Sequence, residues 1–492
     1  MKFYILLPII CCALSLSAQK SHPSSDEHFA IIKGHISNNK DTTWDYSRQG
    51  YLSNEGATVH IDKNGNFLER IKTETETEGV GLFLDNDCIE LGFIKNDTVE
   101  LDWDAHDLRN SIVIKSNDPV REKELQTQLL LFRHYRSPAM ALYQTLYTGG
   151  LSDSAKFVRV NDLYNQEMTA LLEQGVTPHT ENMVINLYFQ YTSMLQSQQL
   201  LPRYELTLLH PSSNSDKIHF LRPDAFGRFK PYQMEMEGAF RNCSYYRDFV
   251  YNYIRFLTPL LTWSVSDTSA EEMKDPVLDF DPARRDYYTG LRSFRIKEVR
   301  EWFISKCIID GFYFYPYEKV DTVYQKFMST SPSPFYAKAL KASYAKAQKL
   351  KPGALAPVFT LRDETGKNVS LTDFRGKVVF IDFWGVHCGP CIGDIKEHVP
   401  ELHERYKDKN VVFINICIDG PEDEWRKDLT SLHINGVNFL AGDNWNTPVC
   451  KAYSLMAIPH YYLIDQNGKI VDNNCHFWQM DALYAQLDKL LR

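Results

Sequence analysis

The run from Lys377 to Trp384 reads KVVFIDFW, apolar except for its first residue and Asp382. Such a run of β-branched and aromatic residues specifies a buried strand, and so a domain that covers its sheet with other layers. After an intervening Gly385-Val386-His387 the chain reads Cys388-Gly389-Pro390-Cys391, and from Gly389 to about Tyr406 the spacing is helical. Cys388 therefore falls at or just before a helix N-terminus. There the unpaired N–H groups and the positive end of the helix dipole favour a thiolate and an attacking sulfur. Cys391 lies one turn inside the helix, on the same face and less exposed, placed to resolve a mixed disulfide. Pro390 is tolerated in the first turn because its missing N–H would have had no partner there.

A metal reading explains less. A structural zinc site needs four ligands, and the chain holds no second CxxC; His387, His398 and His403 stand at no ligand spacing to the pair. Covalent haem attachment would want His where Ile392 stands. No metal is expected.

At 492 residues the chain exceeds what one core usually organises, and three domains are expected. A net charge of -9 offers no footprint for nucleic acid. Residues 1–18 combine Lys2, an apolar run to Leu16 and small residues up to Ala18, the shape of a secretory signal. Export to the periplasm or cell envelope follows. Membrane association would require lipidation at Cys11 or Cys12, and bulky Ile9 and Ile10 argue against it. Removing those two leaves eight of the ten cysteines, too sparse for a disulfide-built scaffold. The isolated ones read as small buried hydrophobes, such as Cys417 within VVFINICI.

Residues 28–115 carry short alternating runs separated by turns, among them DKNGN at Asp62 to Asn66, and read as a small β-sandwich with a hairpin there. The alternating KTETETE at Lys72 to Glu78 reads as a solvated strand face. Residues 119–348 have helical spacing and form a mostly helical domain; the aromatic-rich NCSYYRDFVYNYIRFL and GFYFYPYEKV read as core rather than a partner groove. Pro352, Gly353 and Pro357 end that stretch, and residues 350–492 alternate strand and helix as an α/β sandwich.

Asp382-Phe383-Trp384 leading into Cys388-Gly389-Pro390-Cys391 resembles the thioredoxin superfamily active site. The longer run APVFTLRDETGKNVSLTDFRGKVVFIDFWGVHCGPC resembles the exported TlpA/ResA-like thiol-disulfide oxidoreductases, across about Ala356 to Arg492. The domain order is similar to multidomain exported proteins of the Bacteroidetes. The resemblance implies dithiol–disulfide exchange on protein thiols and disulfides, with the Cys388–Cys391 couple in place of a dissociable cofactor and an envelope electron donor. It implies a cis Pro459 facing the cysteines, with Ile458 pairing with a bound peptide. It makes Asp382 the buried acid that takes the Cys391 proton and Asp394 a residue tuning the pair. Trp384, His387, Gly389 and Pro390 would then join Ile458 on the substrate-facing surface. His387 departs from the family, which usually has Trp there; an imidazolium beside Cys388 would favour the thiolate and leave the direction of electron flow open. A peroxidase would need Pro and Thr or Ser seven and three residues before its reactive cysteine, where Ile381 and Gly385 stand before Cys388. A binding protein with an accessory redox domain is the alternative from another class.

Overall fold

The computed structural model describes residues 28–197, 237–264 and 281–492, leaving aside 53, 75–76, 85–86, 149, 176–177, 443–446, 476 and 478–479. The leader expected over residues 1–18 and the cysteines at 11 and 12 lie outside the described residues. Two compact units divide the chain: Met1–Asp281 with Arg285–Lys306, and Pro282–Arg284 with Cys307–Arg492.

The first unit begins with β1 (His28–Ser37), β2 (Thr43–Gln49), β3 (Asn54–His60), β4 (Asn66–Thr73), β5 (Thr77–Leu84), β6 (Asp87–Ile94), β7 (Thr98–Asp104), α1 (Leu108–Ser111) and β8 (Val113–Ser116). They form two four-stranded sheets, ordered β4-β1-β7-β8 and β3-β2-β5-β6. Strict alternation buries one face of each, as with Val99, Leu101 and Trp103 in β7. Trp44, Phe67, Leu82 and Leu91 join them in one core. Helices follow: α2 (Pro119–Thr148), α3 (Asp153–Glu173), α4 (Pro178–Ser197), α5 (Glu237–Asn242), α6 (Ser244–Ser264), α7 (Pro282–Ser293), α8 (Lys297–Phe314), α9 (Tyr317–Ser329) and α10 (Pro334–Leu350). In α6 the aromatic stripe is core: Tyr246 and Phe249 meet Phe189, and Tyr251 meets Trp302 and Phe303.

After α10 the second unit continues with β9 (Thr360–Arg362), β10 (Asn368–Ser370), β11 (Val378–Trp384), α11 (Gly389–Glu397), α12 (Val399–Tyr406), β12 (Val411–Cys417), α13 (Glu422–Ser431), β13 (Val437–Leu440), α14 (Pro448–Ala452), β14 (His460–Ile464), β15 (Ile470–Cys475) and α15 (Met480–Leu490). Its main sheet runs β13-β12-β11-β14-β15, with β11 central, parallel to β12 and antiparallel to β14. Every residue of β11 is buried. Val378, Phe380 and Trp384 pack on one face with α11, α12 and α15, through Ile395, Leu402 and Leu487. Val379, Ile381 and Phe383 pack on the other with Ile414, Tyr453 and Tyr462.

Three local expectations are corrected. DKNGN does turn the chain, with Gly65 at φ 83° and the Asp62 carboxylate accepting from the Asn64 and Asn66 N–H groups. It joins β3 to β4, however, which belong to different sheets, so beyond the Ile61–Phe67 bridge no hairpin continues. KTETETE is not one solvated face: it contains the end of β4 and the start of β5, and Glu78 is buried at 3.2 Å from the buried Arg48. The helix expected from Gly389 to Tyr406 breaks at His398, because Pro400 has no N–H to give to the Lys396 carbonyl.

Two carboxylates hold the buried Arg48, Glu78 at 3.2 Å and Glu74 at 3.3 Å, so removing Glu78 takes away one charged hydrogen-bond partner of that guanidinium. Glu78→Ala is expected to destabilise the first unit by about 2 kcal/mol. A solvated glutamate would change stability by less than about 0.5 kcal/mol, and urea unfolding followed by tryptophan fluorescence distinguishes the two.

Candidate active site

The sheet register delivers three segments to one end of the second unit's sheet. In β11, Trp384 pairs with Cys417, the last residue of β12, and Phe383 pairs with His460, the first residue of β14. The loop Gly385 to His387, the residues following Cys417 and the residues preceding His460 therefore share the edge from which α11 departs. Parallel strands commonly place their functional groups at this carboxyl end.

Cys388 is the N-cap of α11, and its sulfur accepts from the Cys391 N–H at 3.2 Å. That bond satisfies one of the donors a helix leaves unpaired at its start. The two cysteines form a disulfide with Cα atoms 5.3 Å apart. Cys391 is buried, Cys388 is partly exposed, and Gly389 and Pro390 are exposed beside it. The Ile458–Pro459 peptide bond is cis, and both Ile458 and Cys388 pack against the core beneath α11.

Asp382 alternates with Phe380 and Trp384, which places it on the face of β11 that α11 and Cys391 cover. Burial, reinforced by the Asp394 carboxylate, pushes the Asp382 carboxyl up to about 8. Among the described residues its Oδ1 has no hydrogen-bond partner. Asp394, one turn along α11 from Cys391, accepts from the Tyr461 hydroxyl at 2.6 Å, and Tyr461 is the register partner of Asp382. Burial and these two acids raise the Tyr461 phenol far above its ordinary range.

His387 is two-thirds exposed, and its Nε2 lies 3.6 Å from the exposed Glu424 carboxylate at the start of α13. Trp384 corrects an expectation: it is fully buried in the core and supports the loop from below, with no surface to offer a substrate. Several residues at this edge carried no clear signal in the sequence. Asp419 accepts from the Val386 N–H at 2.6 Å, and its carboxylate lies 2.5 Å from where a Cβ on Gly385 would stand, so only glycine fits there. An Asp-Gly pair just past a buried strand is the one trace that sequence offered. Tyr461, Glu424 and the buried His460 likewise appear only in three dimensions.

The remaining thiols differ from the pair. Cys243, Cys307, Cys417, Cys450 and Cys475 carry buried thiols, and Cys88 carries a partly exposed one. Burial pushes the Cys88 thiol up to about 11 and that of Cys417 to about 12, away from thiolate chemistry. Among the described residues no three His, Cys, Asp or Glu side chains gather as metal ligands.

The central strand, the N-capping cysteine with its partner one turn on and the cis proline at the adjoining strand define a thioredoxin-like oxidoreductase domain. Residues 351–477 match the Redoxin family. The thiol-disulfide oxidoreductase ResA of Bacillus anthracis is 32% identical over 147 residues, covering 30% of this chain and 83% of the relative. ResA of Bacillus cereus is 30% identical over 128 residues, covering 26% and 72%. The crystal structure of the thioredoxin domain of a thiol-disulfide oxidoreductase from Bacteroides vulgatus is 29% identical and covers 29% of this chain and 99% of that one, with a TM-score of 0.27. The chain belongs to the TlpA/ResA-like thiol-disulfide oxidoreductases of the thioredoxin superfamily.

The unfolded Asp382 carboxyl ionises near 3.8 and the folded one near about 8. Between those values the unfolded chain loses a proton that the folded one keeps, so the contribution of this group to stability is complete below the lower value and is lost as pH rises towards the upper one. The urea midpoint of the second unit is expected to fall over that window. Asp382→Asn should remove most of the slope and be the more stable protein at pH 8; parallel slopes would mean that Asp382 is ionised in the fold.

Proposed function

We propose that the chain is an exported protein-disulfide reductase of the cell envelope. The observation that carries this reading is the Cys388–Cys391 couple, one sulfur partly exposed at a helix N-cap and the other buried on the strand face that holds Asp382. In the reduced enzyme the helix N-terminus stabilises the Cys388 thiolate. Its sulfur attacks one sulfur of a substrate disulfide, forming a mixed disulfide and releasing the other as a thiolate. Cys391 then passes its proton to Asp382 and attacks Cys388, which frees the second substrate thiolate. Two electrons have moved from the dithiol to the substrate, and Cys388–Cys391 is left oxidised. A dithiol electron donor in the envelope restores the reduced pair, and no dissociable cofactor takes part.

In this reading Ile458, Pro459, His387, Gly389 and Pro390 form the surface that meets the protein substrate, with Ile458 pairing through its backbone. Asp394 raises Asp382 towards neutrality, where a carboxylate serves both as acceptor and as donor of the Cys391 proton. Residues 1–18 are the export signal, 28–115 and 119–348 the accessory sandwich and helical domains, and 350–492 the redox domain.

The test follows insulin reduction by the full chain with dithiothreitol as donor. Cys388→Ser is expected to fall to the uncatalysed rate, and Cys391→Ser to accumulate a mixed disulfide visible by intact mass. Asp382→Asn should slow the Cys391 step by about a hundredfold and lose the rise in rate near pH 8. A couple poised near about -270 mV supports the reductase direction, and one near about -120 mV makes the enzyme an oxidant. Cys388→Ser turning over insulin as fast as the parent would sink the catalytic reading.

A further inference from the structure

One contact at the active-site edge comes from outside the stretch that matches the Redoxin family. Tyr313, at the C-terminal end of α8, stacks on the His460 ring with centroids 4.2 Å apart and planes inclined by 20°. Its hydroxyl donates to the Ala457 carbonyl and accepts from the Ala457 N–H at 3.1 Å. Ala457 precedes Ile458 and His460 follows Pro459, so one side chain grips the cis segment on both sides. Burial pushes the Tyr313 phenol up to about 12, which keeps it a neutral donor and acceptor at any working pH. The neighbouring Phe314 carbonyl accepts from Asn474 Nδ2 at 2.9 Å, which ties the same helix end to β15. Among the described residues nothing takes up the N–H or carbonyl of Ile458.

We propose that Tyr313 is a positioning residue for substrate binding: by fixing Ala457 and His460 it holds the Ile458 backbone ready to pair with an extended stretch of a protein substrate. The inference rests on the reading that Ile458 and Pro459 receive the substrate. A loop left to fluctuate would have to be ordered at each encounter, and that entropy would be lost from binding. Tyr313 supplies the order beforehand, from a helix that the smaller relatives' matched region does not include. A small disulfide with no peptide backbone has nothing to pair with Ile458 and gains little from the clamp.

Tyr313→Phe in the full chain keeps the ring and its stack on His460 and deletes both hydrogen bonds. Its KM for insulin is expected to rise about fivefold, with kcat within about twofold and the KM for hydroxyethyl disulfide also within about twofold. The potential of the Cys388–Cys391 couple should stay at the parent value, and amide exchange at Ala457 should become faster. Equal changes for both substrates, a fall in kcat alone, unaltered kinetics, or unaltered protection of Ala457 would each overturn the proposal. The underlying reading fails separately, and the proposal with it, if the parent reduces insulin no faster than Cys388→Ser.

Discussion

Seven consecutive buried residues in β11 hold the redox site in place. Each large apolar side chain taken out of water stabilises the fold by about 1.5–3 kcal/mol, and six such residues from Val378 to Trp384 lock the strand between two cores. A strand fixed on both faces ends at a fixed point. From there only Gly385, Val386 and His387 separate it from the N-cap of α11, and Asp419 ties the middle one of the three. The Cys388 sulfur is thus placed by packing several residues away, and its local sequence is left to supply reactivity.

The same burial sets the electrostatics. Asp382 is the single polar interruption of the strand, and the medium that excludes water from Phe380 and Trp384 makes its ionised form costly. Asp394 adds to that effect but is the smaller contribution, since it is partly exposed and bonded to Tyr461. His387 stands differently. An exposed imidazole facing an exposed glutamate interacts across water and salt, where such pairs contribute little. The helix N-terminus lies directly at the Cys388 sulfur and outweighs it.

Much of this site was legible in the sequence because its signals are local. The apolar run, the Cys-Gly-Pro-Cys spacing, the acid two residues before Trp384 and the Ile458-Pro459 pair each occupy a short window. The alternating β runs and the helical middle were legible for the same reason. What escaped notice depends on which distant segments meet. The role of Asp419 exists only because β12 lies parallel to β11, and that of Tyr313 only because α8 ends near β14. The solvated reading of Lys72 to Glu78 failed because alternation shows that every second residue faces one way without showing what waits there; for Glu78 it was the buried Arg48. The break at His398 was visible in Pro400 and was overridden by the helical spacing on either side.

The thiols outside the active site have a further meaning in a protein of this kind. Six cysteine thiols share the described chain with a disulfide that is chemically competent to exchange, and five of the six are buried. As long as the fold is closed, packing keeps the five buried ones beyond the reach of any disulfide, because exchange requires an in-line approach of one sulfur to another. Once the fold opens, the same chain brings its own thiols to its own disulfide at the high effective concentration of a tethered pair. The molecule then becomes its own substrate, and the pairings that form have no reason to match the native one. Compact folding therefore serves this enzyme as chemical insulation, and an unfolding event carries a lasting covalent penalty that a thiol-free protein of equal stability would escape.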